Sequence, residues 1–202
     1  MTANQSARSF TTILIALCAI LVPAIGQKSL VNASTTSPAT QPTPKPIAQA
    51  LDQARKLGQS RLVVFGFNIY DAKLWAEPDF VPANYSRSDF ALEIRYLRNF
   101  SGSSLAERSL KEMRNLATVS DAQAQSWLEQ MRTTFPDVKK GDQLIGIHRV
   151  DGTSSFVMNG KPIGDVRDAE FNRLFFGIWL SSKSSEPKMR RELIGAAGSE
   201  IK

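Results

Sequence analysis

The sequence carries one cysteine, Cys18, and one histidine, His148. A chain this poor in both offers no disulfide framework and no ligand cluster for a structural zinc. Cys18 lies inside an apolar amino-terminal run, so the remainder has no thiol chemistry. His148 has no second histidine or cysteine to share a metal, and no metal site is expected. There is no Gly-x-Ser-x-Gly nucleophile turn and no glycine-rich nucleotide fingerprint. Gly141 with Asp142, and Asp151 with Gly152, read as turns, and the motifs call for no cofactor. No acidic residue precedes Asp52. The formal charge of +6 is spread along the chain, with short clusters at Lys139 and Lys140 and at residues 188–191. Nucleic-acid binding needs a concentrated basic stripe with stacking aromatics and is not expected. The charge allows a mild attraction for anionic ligands or a membrane surface.

Residues 13–25 are apolar throughout, with Arg8 before them and Ala24, Ile25 and Gly26 closing the run. At 13 residues the run falls short of the ~20 needed to span a bilayer. Residues 1–26 therefore read as an export signal cleaved near Gly26, before Gln27. The rival reading is a retained anchor. Leu17 is not the small residue that lipidation of Cys18 requires. Residues 27–46 contain prolines at 38, 42, 44 and 46 among Ser, Thr and Ala, and form a linker that cannot bury enough apolar surface to order itself. Residues 47–202 form one domain. The expected location is periplasmic or secreted.

Within the domain, residues 47–57 are a short helical candidate with Ile47, Ala50, Leu51 and Ala54 on one face and Gly58 as the stop. Residues 61–75 read as two strands joined by a tight turn. Residues 89–97 alternate strictly, with Phe90, Leu92, Ile94 and Tyr96 on one face and Ala91, Glu93 and Arg95 on the other. Ser104 with Glu107 has the pattern of a capping box, and so has Ser120 with Gln123. The helix after the second shows Ala124, Leu128, Met131 and Phe135 on one side and ends at Pro136. Two β segments, 142–150 and 153–158, precede Asn159-Gly160, a hairpin turn signal. Pro162 makes 161–166 an edge strand. Asp168 opens an apolar helix over 169–180, whose Phe175, Phe176, Ile178 and Trp179 either fill the core or line a cavity cut into it. Glu186 and Pro187 open a last short helix that stops at Gly195. Strands, a helix pair, strands and then helices make an α+β order, a largely antiparallel sheet with helices on one face.

Several strings carry a resemblance. Residues 68–75, NIYDAKLW, entered through Gly58-x-x-Arg61, look like the VYxAxLY strand of the chalcone isomerase-like family. Residues 92–97, then Ser101-Gly102 and LAERSLKE at 105–112, resemble its next strand and helix. FPDVKKGD at 135–142, NGKPIG at 159–164, FFGIWLS at 175–181 and Ser185-Glu186-Pro187 resemble its later segments, in order, over residues 48–195. The domain resembles the exported bacterial branch of that family. This resemblance implies an open-faced β-sandwich, a large antiparallel sheet backed by a layer of helices with a ligand cleft between. Plant members close a flavanone ring by intramolecular addition; related proteins bind fatty acids without catalysis.

In both groups an arginine at the start of the first core strand meets the ligand's anionic end, and its match is Arg61. The fatty-acid binders add a tyrosine that falls near Tyr70. If Phe65 and Gly66 form a two-residue turn, Arg61 stands directly opposite Tyr70 on one face, and the two give an anion charge-assisted hydrogen bonds. The family's enzymes carry a tyrosine, a lysine and an asparagine on the next helix, and these positions fall at Leu105, Arg108 and Glu112. Arg108 and Glu112, four apart, also suit a simple surface ion pair. The ligand-binding candidates are thus Arg61, Tyr70, Arg108 and Glu112, with Arg61 and Arg108 the candidates for catalysis. The leading expectation is non-catalytic binding of a small apolar carboxylate or lipid-like ligand in the cell envelope. The competing classes are an isomerase or intramolecular lyase, and an accessory domain that docks to an envelope protein partner.

Overall fold

The structure, a computed structural model, describes residues 42–195. The expected signal and most of the expected linker lie outside the described residues. The helical candidate at 47–57 begins slightly earlier than expected: Pro44 is the N-cap of a short helix α1 (Lys45–Ala50) that has proline in its first turn.

Six strands follow one another around a single antiparallel sheet, in the order β1 (Arg55–Val64), β2 (Phe67–Ala76), β3 (Phe90–Tyr96), β4 (Gln143–His148), β5 (Ser154–Met158) and β6 (Lys161–Val166). Between β3 and β4 come α2 (Gly102–Leu116) and α3 (Asp121–Thr134); after β6 come α4 (Ala169–Leu180) and α5 (Pro187–Ile194). This is the expected α+β architecture. Both two-residue turns, Phe65-Gly66 and Asn159-Gly160, hold positive φ at both positions, which matches the twist of the strands they join. Pro162 sits on edge strand β6, where its missing N–H costs no ladder bond to a further strand.

The alternation of β3 sorts the core. Phe90, Leu92, Ile94 and Tyr96 pack under the helices in one large cluster with Met113, Met131, Phe156 and Phe176. The other face is not bare. Ile47 and Leu51 cover Trp75, Ala91, Ile145, Ile147 and Val157 there, so helical structure lies on both faces rather than one. Burial of Ile47 and Leu51 contributes ~1.5–3 kcal/mol each.

Three local expectations are corrected. The first helix ends at Ala50 because Leu51 turns to extended backbone, and Gly58 is a strand residue rather than a stop. A Cβ on Gly58 would collide with the Glu192 carbonyl oxygen, so glycine is what lets α5 lie against β1. Helix α2 starts at Gly102, two residues before Ser104. Ser101 is its cap, accepting from the Ser104 N–H, while Glu107 pairs with Arg132. On α3 the full capping box of Ser120 and Gln123 forms, but Trp127 rather than Leu128 is the large buried residue, because its Nε1–H donates to Asp168 at the start of α4.

Candidate functional site

Between the sheet and the helices lies a cavity of about 420 Å³, within the ~300–1,000 Å³ range of small-molecule sites. Its depth is apolar, formed by Leu144, Gly146 and Phe156 of the central strands, by Phe135, and by Phe175 and Phe176 of α4. Gly146 is part of the design: a Cβ there would lie 3.0 Å from the Phe176 ring, which occupies the space instead. Toward the surface the wall turns polar. Ser104 and Arg108 of α2, Ser185, Glu186 at the head of α5 and Val64 of β1 are the lining residues that reach solvent.

Leu105, Arg108 and Glu112 all reach the cavity wall, because spacings of three and four residues put them on one side of α2. Arg108 Nη2 donates to Glu112 Oε1 at 2.6 Å. Glu112 is nearly buried, and its second oxygen accepts from the Ser185 hydroxyl at 2.8 Å and from Asn115 Nδ2 at 3.2 Å. The carboxylate is thus fully engaged, while the guanidinium keeps N–H groups free for a second acceptor.

Tyr70 lines the cavity from β2. Its oxygen accepts from Trp179 Nε1 at 2.9 Å, and its own O–H is left only the Met189 sulfur at 3.8 Å. Tyr96 lies beside it, the rings 6.5 Å apart edge to face. Its hydroxyl has no hydrogen-bond partner among the described residues. Burial raises the pKa of both phenols, and for Tyr70 this outweighs the opposing bond from Trp179. Both therefore stay neutral O–H donors facing an apolar space.

Arg61 is elsewhere. The hairpin starts as expected, with Val64 opposite Phe67 and Val63 opposite Asn68, but Ile69 then bulges out and Leu62 pairs with Tyr70. The slip of one residue sets Arg61 opposite Asp71 instead of Tyr70, on the face away from the cavity. There its guanidinium makes two bonds to Asp71, at 2.6 and 2.9 Å, with half of its side chain exposed. Arg61 leaves the candidate site; Tyr70, Arg108 and Glu112 stay in it. Tyr96, Ser185 and Val64 were not anticipated. The inward alternation of β3 pointed at Tyr96, since a hydroxyl on a core-facing position needs a partner.

The residues 63–195 match the family model described as chalcone isomerase-like. An uncharacterized protein of Haemophilus influenzae is 33% identical over 129 residues, which cover 64% of this chain and 62% of that relative's length. A crystal structure of a fatty-acid binding protein of Arabidopsis thaliana has a similar fold, with a TM-score of 0.55 and 11% identity over 73% of this chain and 90% of that one. On its own that likeness shows the fold, while the sequence match covers most of the described domain. The chain belongs to the chalcone isomerase-like family.

Proposed function

We propose that the domain binds, without converting it, an apolar molecule with one oxygen-bearing head, of the fatty-acid class. The observation that carries this is the cavity's lining: mostly aliphatic and aromatic, with its charged side chains, Arg108, Glu112 and Glu186, supplied by α2 and the residue that opens α5. An alkyl chain entering the deep part contributes ~0.8 kcal/mol per methylene buried. A carboxylate is tolerated only beside a cation or donors, and Arg108 with the free Tyr96 hydroxyl supplies both. The Arabidopsis protein of this fold is named for fatty-acid binding, which supports the same ligand class here.

The isomerase reading has less to stand on. Leu105 occupies the place where the resemblance puts a catalytic tyrosine, and Glu112 is held by three partners. The cavity wall offers no lysine, histidine, cysteine or aspartate among the described residues. The same proposal puts the protein outside the cytoplasmic membrane, supported by the apolar run at 13–25 and the basic residue before it.

Native mass spectrometry of the purified chain tests the reading. A co-purifying acyl compound, displaced by added dodecanoate, is expected. A chain that emerges empty and takes up no dodecanoate would overturn it.

A further inference from the structure

The end of the sheet that carries the β1–β2 turn is apolar where it meets solvent. Phe65 is 97% exposed, Phe67 57%, Val63 51% and Val64 37%. Phe65 also holds φ at +49°, a left-handed conformation that disfavours phenylalanine; the matching turn at the other hairpin uses Asn159. Nothing in the local backbone favours an aromatic ring at this position. Val63 and Val64 project to opposite faces of the hairpin, so the apolar surface wraps around a wedge. A flat protein surface covers one side of such a wedge, whereas a fluid apolar phase covers both.

Cations gather at the same place. The antiparallel order brings the β1–β2 turn, the exit of β3, the approach to β4 and the β5–β6 turn to one end of the sheet. Arg98, Lys139, Lys140 and Lys161 are exposed there, and Arg98 lies 4.6 Å over the Phe67 ring. The acidic residues nearby are engaged with the protein itself: Asp137 accepts from the Gly102 N–H, and Asp142 from the Lys139 N–H and Asn159 Nδ2.

We propose that this end of the domain docks on an anionic lipid bilayer, with Phe65 and Phe67 among the headgroups and upper acyl chains and the four cations on the lipid charges. From the turn to Val63 the apolar tip extends about 7 Å at the usual strand rise. That lies within the ~5–10 Å reached by elements seated in the interface. The exposed Asn68, opposite Val63, and then the Arg61–Asp71 ion pair begin the polar part of the hairpin. Val64 belongs both to the tip and to the cavity wall, so docking brings the mouth to the bilayer and spares an amphiphile the passage through water. That consequence rests on the binding reading above; the docking itself does not.

The test uses Phe65→Trp in the full chain, mixed with vesicles of phosphatidylcholine alone or with phosphatidylglycerol, their acyl chains brominated. Trp75 and Trp127 are buried and Trp179 half-buried, so the unsubstituted chain gives the baseline. On anionic vesicles the added emission should shift to the blue and be quenched. Lys139→Glu with Lys140→Glu, or high salt, should lose both effects. Emission that stays water-like on anionic vesicles would overturn the proposal. So would a blue shift that needs no lipid and grows with protein concentration, which marks contact with a second copy. Dodecanoate titration of the same variants reads the cavity separately, so a failure of docking is distinguishable from a failure of binding.

Discussion

Glu112 and an anionic head group compete for one guanidinium, and Glu112→Gln exposes that competition. The substitution keeps the size of the side chain and leaves an amide oxygen able to accept from Ser185 and Asn115, two of the three present partners of the carboxylate. The charge is removed, and with it the bond to Arg108, because the amide NH2 faces the guanidinium. A ligand carboxylate on the open edge of Arg108 lies ~7 Å from that of Glu112, where two unit charges repel by roughly 2 kcal/mol at an effective dielectric constant of about 20. The Arg108 side chain is 66% exposed. Water at the mouth reduces the repulsion to about 1 kcal/mol, about fivefold in Kd. Dodecanoate should therefore bind Glu112→Gln about fivefold more tightly in titration calorimetry. Dodecanol, with the same chain and no charge, should bind both proteins alike. Unchanged dodecanoate affinity, or an equal change for acid and alcohol, would show that the head group does not sit at Arg108.

Ser109 lines the cavity from α2, so Ser109→Phe fills it; dodecanoate affinity should fall at least ~10-fold with the melting temperature unchanged or raised. Gly58→Ala drives a methyl into the α5 backbone, and urea unfolding should register a loss of about 2–3 kcal/mol; an unchanged midpoint would mean that α5 is not fixed against β1. Burial lowers the pKa of His148 below its ordinary 6.5, against the opposing hydrogen bond to the Ser88 carbonyl. The unfolded state then binds the proton first, so this contribution to stability is present above pH 6.5 and is lost as the pH falls below it. Denaturant midpoints measured across that range should fall with pH in the parent chain and fall less in His148→Gln.

Features fixed by a few neighbouring residues were legible in the sequence. Asn159-Gly160, the Ser120–Gln123 capping box, the Asp168 cap and the faces of β3 all depend on local geometry, and all formed. The bulge at Ile69 was not legible. Nothing in residues 61–71 distinguishes a regular hairpin from one in which Ile69 is displaced and its carbonyl taken by the Leu97 N–H. Yet that slip decides which face Arg61 occupies. Gly58 is a similar case, because a helix stop and a close helix–strand contact both require glycine, and only the position of α5 tells them apart. The spacing of Arg108 and Glu112 predicted their ion pair, but a cavity is space that packing leaves unfilled, so their place on its wall depends on the whole core.

Ligand binding in the cavity is tested most directly by a crystal structure of the chain with an alkanoate brominated at its terminal carbon. Anomalous density for the bromine should lie among Leu144, Phe156 and Phe176, with the carboxylate within hydrogen-bonding distance of Arg108 or the Tyr96 hydroxyl. Bromine at the mouth, or a cavity left empty at saturating ligand, would contradict it.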